Sequence, residues 1–152
     1  MKLSQILTED QVLLHFAAED KWQAIEELVT ALVRTGRLPQ ELEAASREAL
    51  LVRERSMTTG MENGIAIPHA ALDELPELLG VLAIVPDGID FDTIDGQPGR
   101  ILVGLLIPRQ VKLLHIRTLA GIARLMSDSS VRQQILESPT ATAVLAAIRG
   151  AE

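Results

Sequence analysis

From Ile101 to Ile107 every residue is apolar or glycine, in the run Arg100-Ile-Leu-Val-Gly-Leu-Leu-Ile-Pro108. Successive side chains of a strand point to opposite faces, so a strand with no polar alternation must be covered on both sides. It is also far shorter than the roughly 20 residues needed to cross a bilayer. This one stretch therefore demands a central strand in a sheet packed between two layers of other structure.

The flanks supply those layers. From Asp20 the apolar residues Trp22, Ile25, Val29, Leu32 and Val33 follow helical spacing, with Asp20 and Gln23 as a capping box and Gly36 as a stop. Pro39 opens a second helix running to about Arg55. After Pro108, Leu119, Ile122, Ala123 and Met126 share one face of a helix beginning at Lys112, with Lys112, Arg117 and Arg124 off that face. Asp128 or Ser129 starts a further short helix, and Pro139 to Gly150 forms the last. Between these groups lie two more strand-like pieces, Gly64 to His69 and Gly80 to Pro86. Asp-Gly and Pro-Gly pairs between Asp87 and Gly99 predict tight turns. The expected fold is a single α/β domain over residues 1–152, a mixed and mostly buried sheet with helices on both faces.

Composition narrows the function. The net charge is −7, which opposes binding to nucleic acid through phosphate neutralisation. Aromatics make up only 2% of the chain, leaving almost no base-stacking platform. Without cysteine, thiolate chemistry, disulfides and Cys-ligated zinc are excluded. The N-terminus breaks its apolar residues with polar ones and resembles no secretory signal. These features predict a cytoplasmic chain with no membrane insertion.

The candidate chemistry centres on His69, which directly follows Pro68 at the end of a strand-like run. Proline holds the approach extended and removes a backbone donor, so the imidazole is presented rather than woven into a ladder. His115 falls four residues before Leu119 and so projects from the inward face of its helix, either as a core histidine or as a partner to His69. Arg53, at the end of the second helix, carries the fork best matched to a phosphate, although a basic residue there also suits the helix dipole. The following loop, with Thr58, Thr59, Gly60 and Asn63, offers hydroxyl and N–H groups for an anion-binding concavity. It lacks the spacing of a nucleotide phosphate loop. His15 is read as structural.

The run from Arg53-Glu54 through Thr58-Thr59-Gly60 to Asn63-Gly64-Ile65-Ala66-Ile67-Pro68-His69 closely resembles the signature of type 2, fructose/mannitol-like enzyme IIA domains of the bacterial phosphotransferase system. The resemblance continues through "GIDFDTIDGQP" at 88–98, "LLIP" at 105–108 and "HIRTLAGIARLM" from His115, and so covers nearly the whole chain. It implies the mixed-sheet sandwich of that family, with His69 as the phosphoryl acceptor, His115 as a supporting histidine and Arg53 as a phosphate ligand. It also implies the phosphocarrier protein HPr as donor, with no metal and no other cofactor. Within the family the chain is most similar to the stand-alone nitrogen-regulatory proteins, which implies regulatory targets as partners. A sugar-specific protein passing phosphate to an enzyme IIB is the alternative, and a homo-oligomer stays open.

The chain departs from the family pattern at Glu62, at Ala70-Ala71 and at Gly99. Glu62 keeps a second class in view, an interaction module that takes no phosphate. A third, a metal-dependent hydrolase using His69, His115 and Asp73, has no ligand spacing behind it.

Overall fold

A computed structural model describes all residues, Met1–Glu152. Five strands form one sheet: β1 (Val12–Leu13), β2 (Ile65–Ala66), β3 (His69–Leu72), β4 (Leu79–Ile89) and β5 (Gly99–Pro108). β5 lies inside it, antiparallel to β4 and parallel to β2 and β3, while β1 pairs parallel to β4 at the far edge. The sheet is therefore mixed, and its central strand is the apolar run that sequence alone singles out.

The six helices are α1 (Leu3–Ile6), α2 (Lys21–Arg34), α3 (Glu43–Ser56), α4 (Lys112–Met126), α5 (Ser129–Glu137) and α6 (Ala141–Ala151). Ile101, Val103, Leu105 and Ile107 of β5 join a core with residues of α1, α4, α5 and α6. Leu102 and Leu106 join a second core with Ala24, Ile25, Leu28 and Val29 of α2 and Leu50 of α3. Alternate residues of one strand thus serve two cores, which is why none of them is polar. None of the helices is long and apolar enough to cross a membrane.

Local signals place the boundaries. The Asp20 carboxylate accepts the Gln23 N–H at 2.8 Å and starts α2, and Gly36 stands at φ +78° beyond its end. Pro39 leads first into a short 3-10 turn, Gln40–Leu42, so α3 begins later than the proline suggests.

Two expectations change. The Asp87-Gly88 pair does not close a turn, because β4 runs through it to Ile89 with a register shift after Ile84. Gly88 sits at φ +74°, and a Cβ there would lie 2.7 Å from the Cβ of Pro98, so the strand bulges over a close neighbour instead of reversing. Gly99 is not in a turn either, since it opens β5 opposite Ile89.

Candidate functional site

The segment read as one strand ending at His69 is two strands. β2 stops at Ala66, and β3 starts at His69 itself, paired with Leu105 of β5. Pro68 has no N–H to donate, but its carbonyl accepts from Leu105 N at 2.9 Å, so the chain stays docked on β5 through the break. The interruption leaves the Ile67 carbonyl free for the side chain of His69, whose Nδ1 lies 2.7 Å from it.

That contact decides the ring's chemistry. A carbonyl oxygen only accepts, so Nδ1 carries the hydrogen and the neutral ring's lone pair is on Nε2. Burial lowers the His69 pKa below its ordinary value, the Ile67 hydrogen bond works against that, and the Arg53 charge lowers it further, opposed by Glu54. The half-buried ring is therefore neutral at neutral pH and offers one nucleophilic nitrogen.

His69 lines two cavities. The larger, about 830 Å³, is bounded by Val52 and Arg53 of α3, by Ala70 to Leu72 of β3, and by Lys112, Ile116 and Leu119 of α4. The smaller, about 300 Å³, has Thr58, Thr59 and Gly60 on one side and Leu119, Ala120 and Ala123 on the other. Arg53 thus meets His69 in a common space, its Nη1 donating to Met57 O at 2.7 Å. Arg109 faces the same space but is tied to Asp73 at 2.6 Å.

The loop after α3 is built differently from an anion cradle. Thr59 N donates to Glu54 Oε2 at 2.8 Å, Gly60 N to Thr58 Oγ1 at 3.0 Å, and Met61 N to Ile65 O at 2.7 Å. With those three N–H groups taken, the loop's hydrogen bonds hold its own shape and do not converge on an anion. Gly60 is required because a Cβ there would collide with the Phe91 carbonyl oxygen. Asn63, at φ +62°, gives its N–H to Asp95 at 2.9 Å and lines a separate hollow with Glu62. Thr58, Thr59 and Gly60 are therefore brought to His69, whereas Asn63 and the exposed Glu62 are turned away from both of its cavities.

His115 is buried on the inward face of α4, as its spacing predicts. Its Nδ1 lies 3.4 Å from Thr118 Oγ1, which also faces the amino group of Met1 at 3.4 Å. Burial, and then that ammonium charge, lower its pKa. It lines neither cavity of His69, because the turn of α4 facing them presents Lys112, Ile116 and Leu119 instead. His15 is exposed in a turn at φ 57°.

Two participants escape the sequence reading. Lys112, set aside as lying off the apolar face, lines the larger cavity with Arg53. Glu54, beside Arg53, is buried and holds Thr59. Its signal was a carboxylate in an otherwise apolar packing position, which one sequence does not reveal without the partner. No group of three or more His, Cys, Asp or Glu side chains converges as a metal site.

With this geometry in view, three kinds of comparison agree. The family described as "Phosphoenolpyruvate-dependent sugar phosphotransferase system, EIIA 2" matches residues 5–151. A nitrogen regulatory protein of Bradyrhizobium diazoefficiens is 33% identical over 144 residues, 95% of this chain and 92% of its own length. The fructose-specific EIIABC component of Bacillus subtilis is 30% identical over 145 residues, 95% of this chain but only 22% of that much longer protein. The crystal structure of nitrogen regulatory protein IIA-Ntr from Neisseria meningitidis superposes with a TM-score of 0.87 at 27% identity, covering 96% of this chain and 98% of that one.

Proposed function

The chain belongs to the type 2 enzyme IIA family of the phosphoenolpyruvate-dependent sugar phosphotransferase system, and from that premise we propose that His69 is its phosphoryl acceptor. The observation that carries this reading is the 2.7 Å contact from Nδ1 to Ile67 O, which leaves Nε2 as the nucleophile on a neutral ring beside Arg53. The Nε2 lone pair attacks phosphorus of a phosphohistidine donor, the donor's P–N bond breaks, and its electron pair returns to the donor imidazole. Arg53 and Lys112 offset the charge spread over the transferring oxygens.

The donor in this reading is phospho-HPr, met in the cytoplasm. Val52 and Ile116 stand on the cavity wall 50% and 52% exposed, with Leu113 and Leu114 exposed a few residues earlier on α4. An apolar rim of this kind suits transient docking of a protein that brings its own histidine to the cavity. His115 supports the site from the inner side of α4, by fixing the helix whose outer turn carries Lys112 and Ile116.

Similarity to nitrogen regulatory proteins along nearly their whole length favours a regulatory carrier, in which the charge state of His69 selects the target protein. The 30% identity to a fructose-specific protein supports a second reading, transfer onward to an enzyme IIB.

The test is incubation with phosphoenolpyruvate, enzyme I and HPr. Acid-labile phosphate on the wild type and none on a folded His69→Ala variant is the expected result; labelling that persists without His69 refutes the assignment. Adding an enzyme IIB then separates the two outputs, since only the sugar-transport reading predicts rapid loss of the label to it.

A further inference from the structure

Next to the acceptor lies a buried ion pair that the transfer chemistry does not use. Glu54 is 3% exposed and Lys21 7% exposed, with Lys21 Nζ 3.3 Å from Glu54 Oε2 and 2.7 Å from Asp92 Oδ2. Burial works against the lysine's charge, yet Asp92 and Glu54 more than offset it and hold its pKa above the ordinary value. Such pairs are poor stabilisers, because desolvation consumes most of the attraction, but removing one partner leaves an uncompensated buried charge and is strongly destabilising.

What this pair holds is the path to His69. Glu54 Oε2 accepts Thr59 N–H at 2.8 Å and Oε1 accepts Thr59 Oγ1–H at 2.5 Å. The Thr59 carbonyl accepts Ile67 N–H at 3.1 Å, and the Ile67 carbonyl in turn accepts from His69 Nδ1 at 2.7 Å. Glu54 on α3, itself paired with Lys21 on α2, thus anchors Thr59, and the Thr59 carbonyl anchors Ile67, whose own carbonyl receives the imidazole.

We propose that Glu54, backed by Lys21 and acting through Thr59, is the positioning residue that holds in place the Ile67 carbonyl, which in turn fixes the orientation and tautomer of His69. Thr59 then serves Glu54 and not the phosphate. The inference rests on His69 being the acceptor for its functional meaning, but not for its geometry. Glu54 also stands as a negative counterpart to Arg53, since its charge raises the His69 pKa where that of Arg53 lowers it.

The experiment compares wild type, Thr59→Val, Thr59→Ser and Glu54→Gln by nitrogen-detected NMR of the His69 ring, by thermal melting, and by the rate of phosphoryl uptake from phospho-HPr. Thr59→Val is expected to lose the uniform Nδ1–H form and to slow uptake about tenfold, the scale of one charge-assisted hydrogen bond. Thr59→Ser restores both. Glu54→Gln is expected to lower the His69 pKa and to slow uptake to a similar degree. Folded variants whose ring keeps the wild-type tautomer and pKa overturn the proposal, even if uptake falls, because the effect then passes through the fold alone. Should Glu54→Gln fail to fold, the two Thr59 variants decide. If the wild type takes up no phosphate, the acceptor reading fails while the ring measurements still judge the positioning inference.

Discussion

The Nδ1 of His69 lies 2.7 Å from the carbonyl oxygen of Ile67, two residues earlier in the same chain. A residue positions the ring two places after it here, because Pro68 stands between them and breaks the strand. The contact predicts that NMR of the free protein finds His69 neutral and protonated on Nδ1, and that the phosphorylated protein carries its phosphate on Nε2. A phosphate found on Nδ1 contradicts the geometry.

Acid protonates His69 and weakens the fold. His69 and His115 both titrate below the ordinary histidine value of 6.5. As pH falls through 6.5, the unfolded chain binds protons at these two positions before the folded protein does. Stability therefore declines between 6.5 and the lower folded-state values, and this contribution levels off below them. Melting temperatures taken from about pH 8 to about pH 5 check the trend, and a double His69→Ala, His115→Ala variant should flatten it.

Arg53 acts on His69 as a charge. Replacing it with Met keeps the aliphatic stem against the cavity wall and removes the guanidinium. The expected results are a higher His69 pKa, because the Arg53 charge lowers it, and phosphoryl uptake slowed by roughly 10- to 100-fold. An unchanged rate with an unchanged pKa would remove Arg53 from the site.

His115→Ala separates a part in transfer from a part in packing. The ring is 5% exposed and bonded to Thr118, so truncation should cost about 1–3 kcal/mol of stability, read from denaturant unfolding. Uptake should fall less than in Arg53→Met. A larger kinetic loss with no loss of stability would show that the ring reaches the phosphoryl group directly.

Gly60→Ala tests the loop. With the Phe91 carbonyl oxygen in the way of a Cβ, the substitution should destabilise by about 1–3 kcal/mol, as overpacking does. It should also slow uptake, because Thr58 and Thr59 shift with it. Stability at the wild-type level would mean that the loop has room that its packing does not suggest.

The two-faced apolar run of β5 and the spacing of the long helices were legible without coordinates, because burial on both sides and the 3.6-residue period leave direct marks in one sequence. So was His69, marked out by the proline before it and by the family signature. The bulge at Gly88 was not, since an Asp-Gly pair has the same local preference for positive φ in a bulge as in a turn, and only the neighbouring Pro98 decides between them. The N–H groups of the Thr58–Gly60 loop looked free to bind an anion because their acceptors, Glu54 five residues before Thr59 and Ile65 across the hairpin, are chosen by folding. The same holds for His115: helical spacing predicts that it points inward, but which inward neighbour it meets depends on how α4 is rotated against the sheet.

Sequence by itself therefore determined the layers of this protein, which follow from local pattern, and marked out His69 as the candidate acceptor. Tertiary structure alone decided the companions of His69 in its cavities and the partners of the buried Glu54. Those depend on contacts between segments far apart in the chain, and local preferences are too weak to specify them.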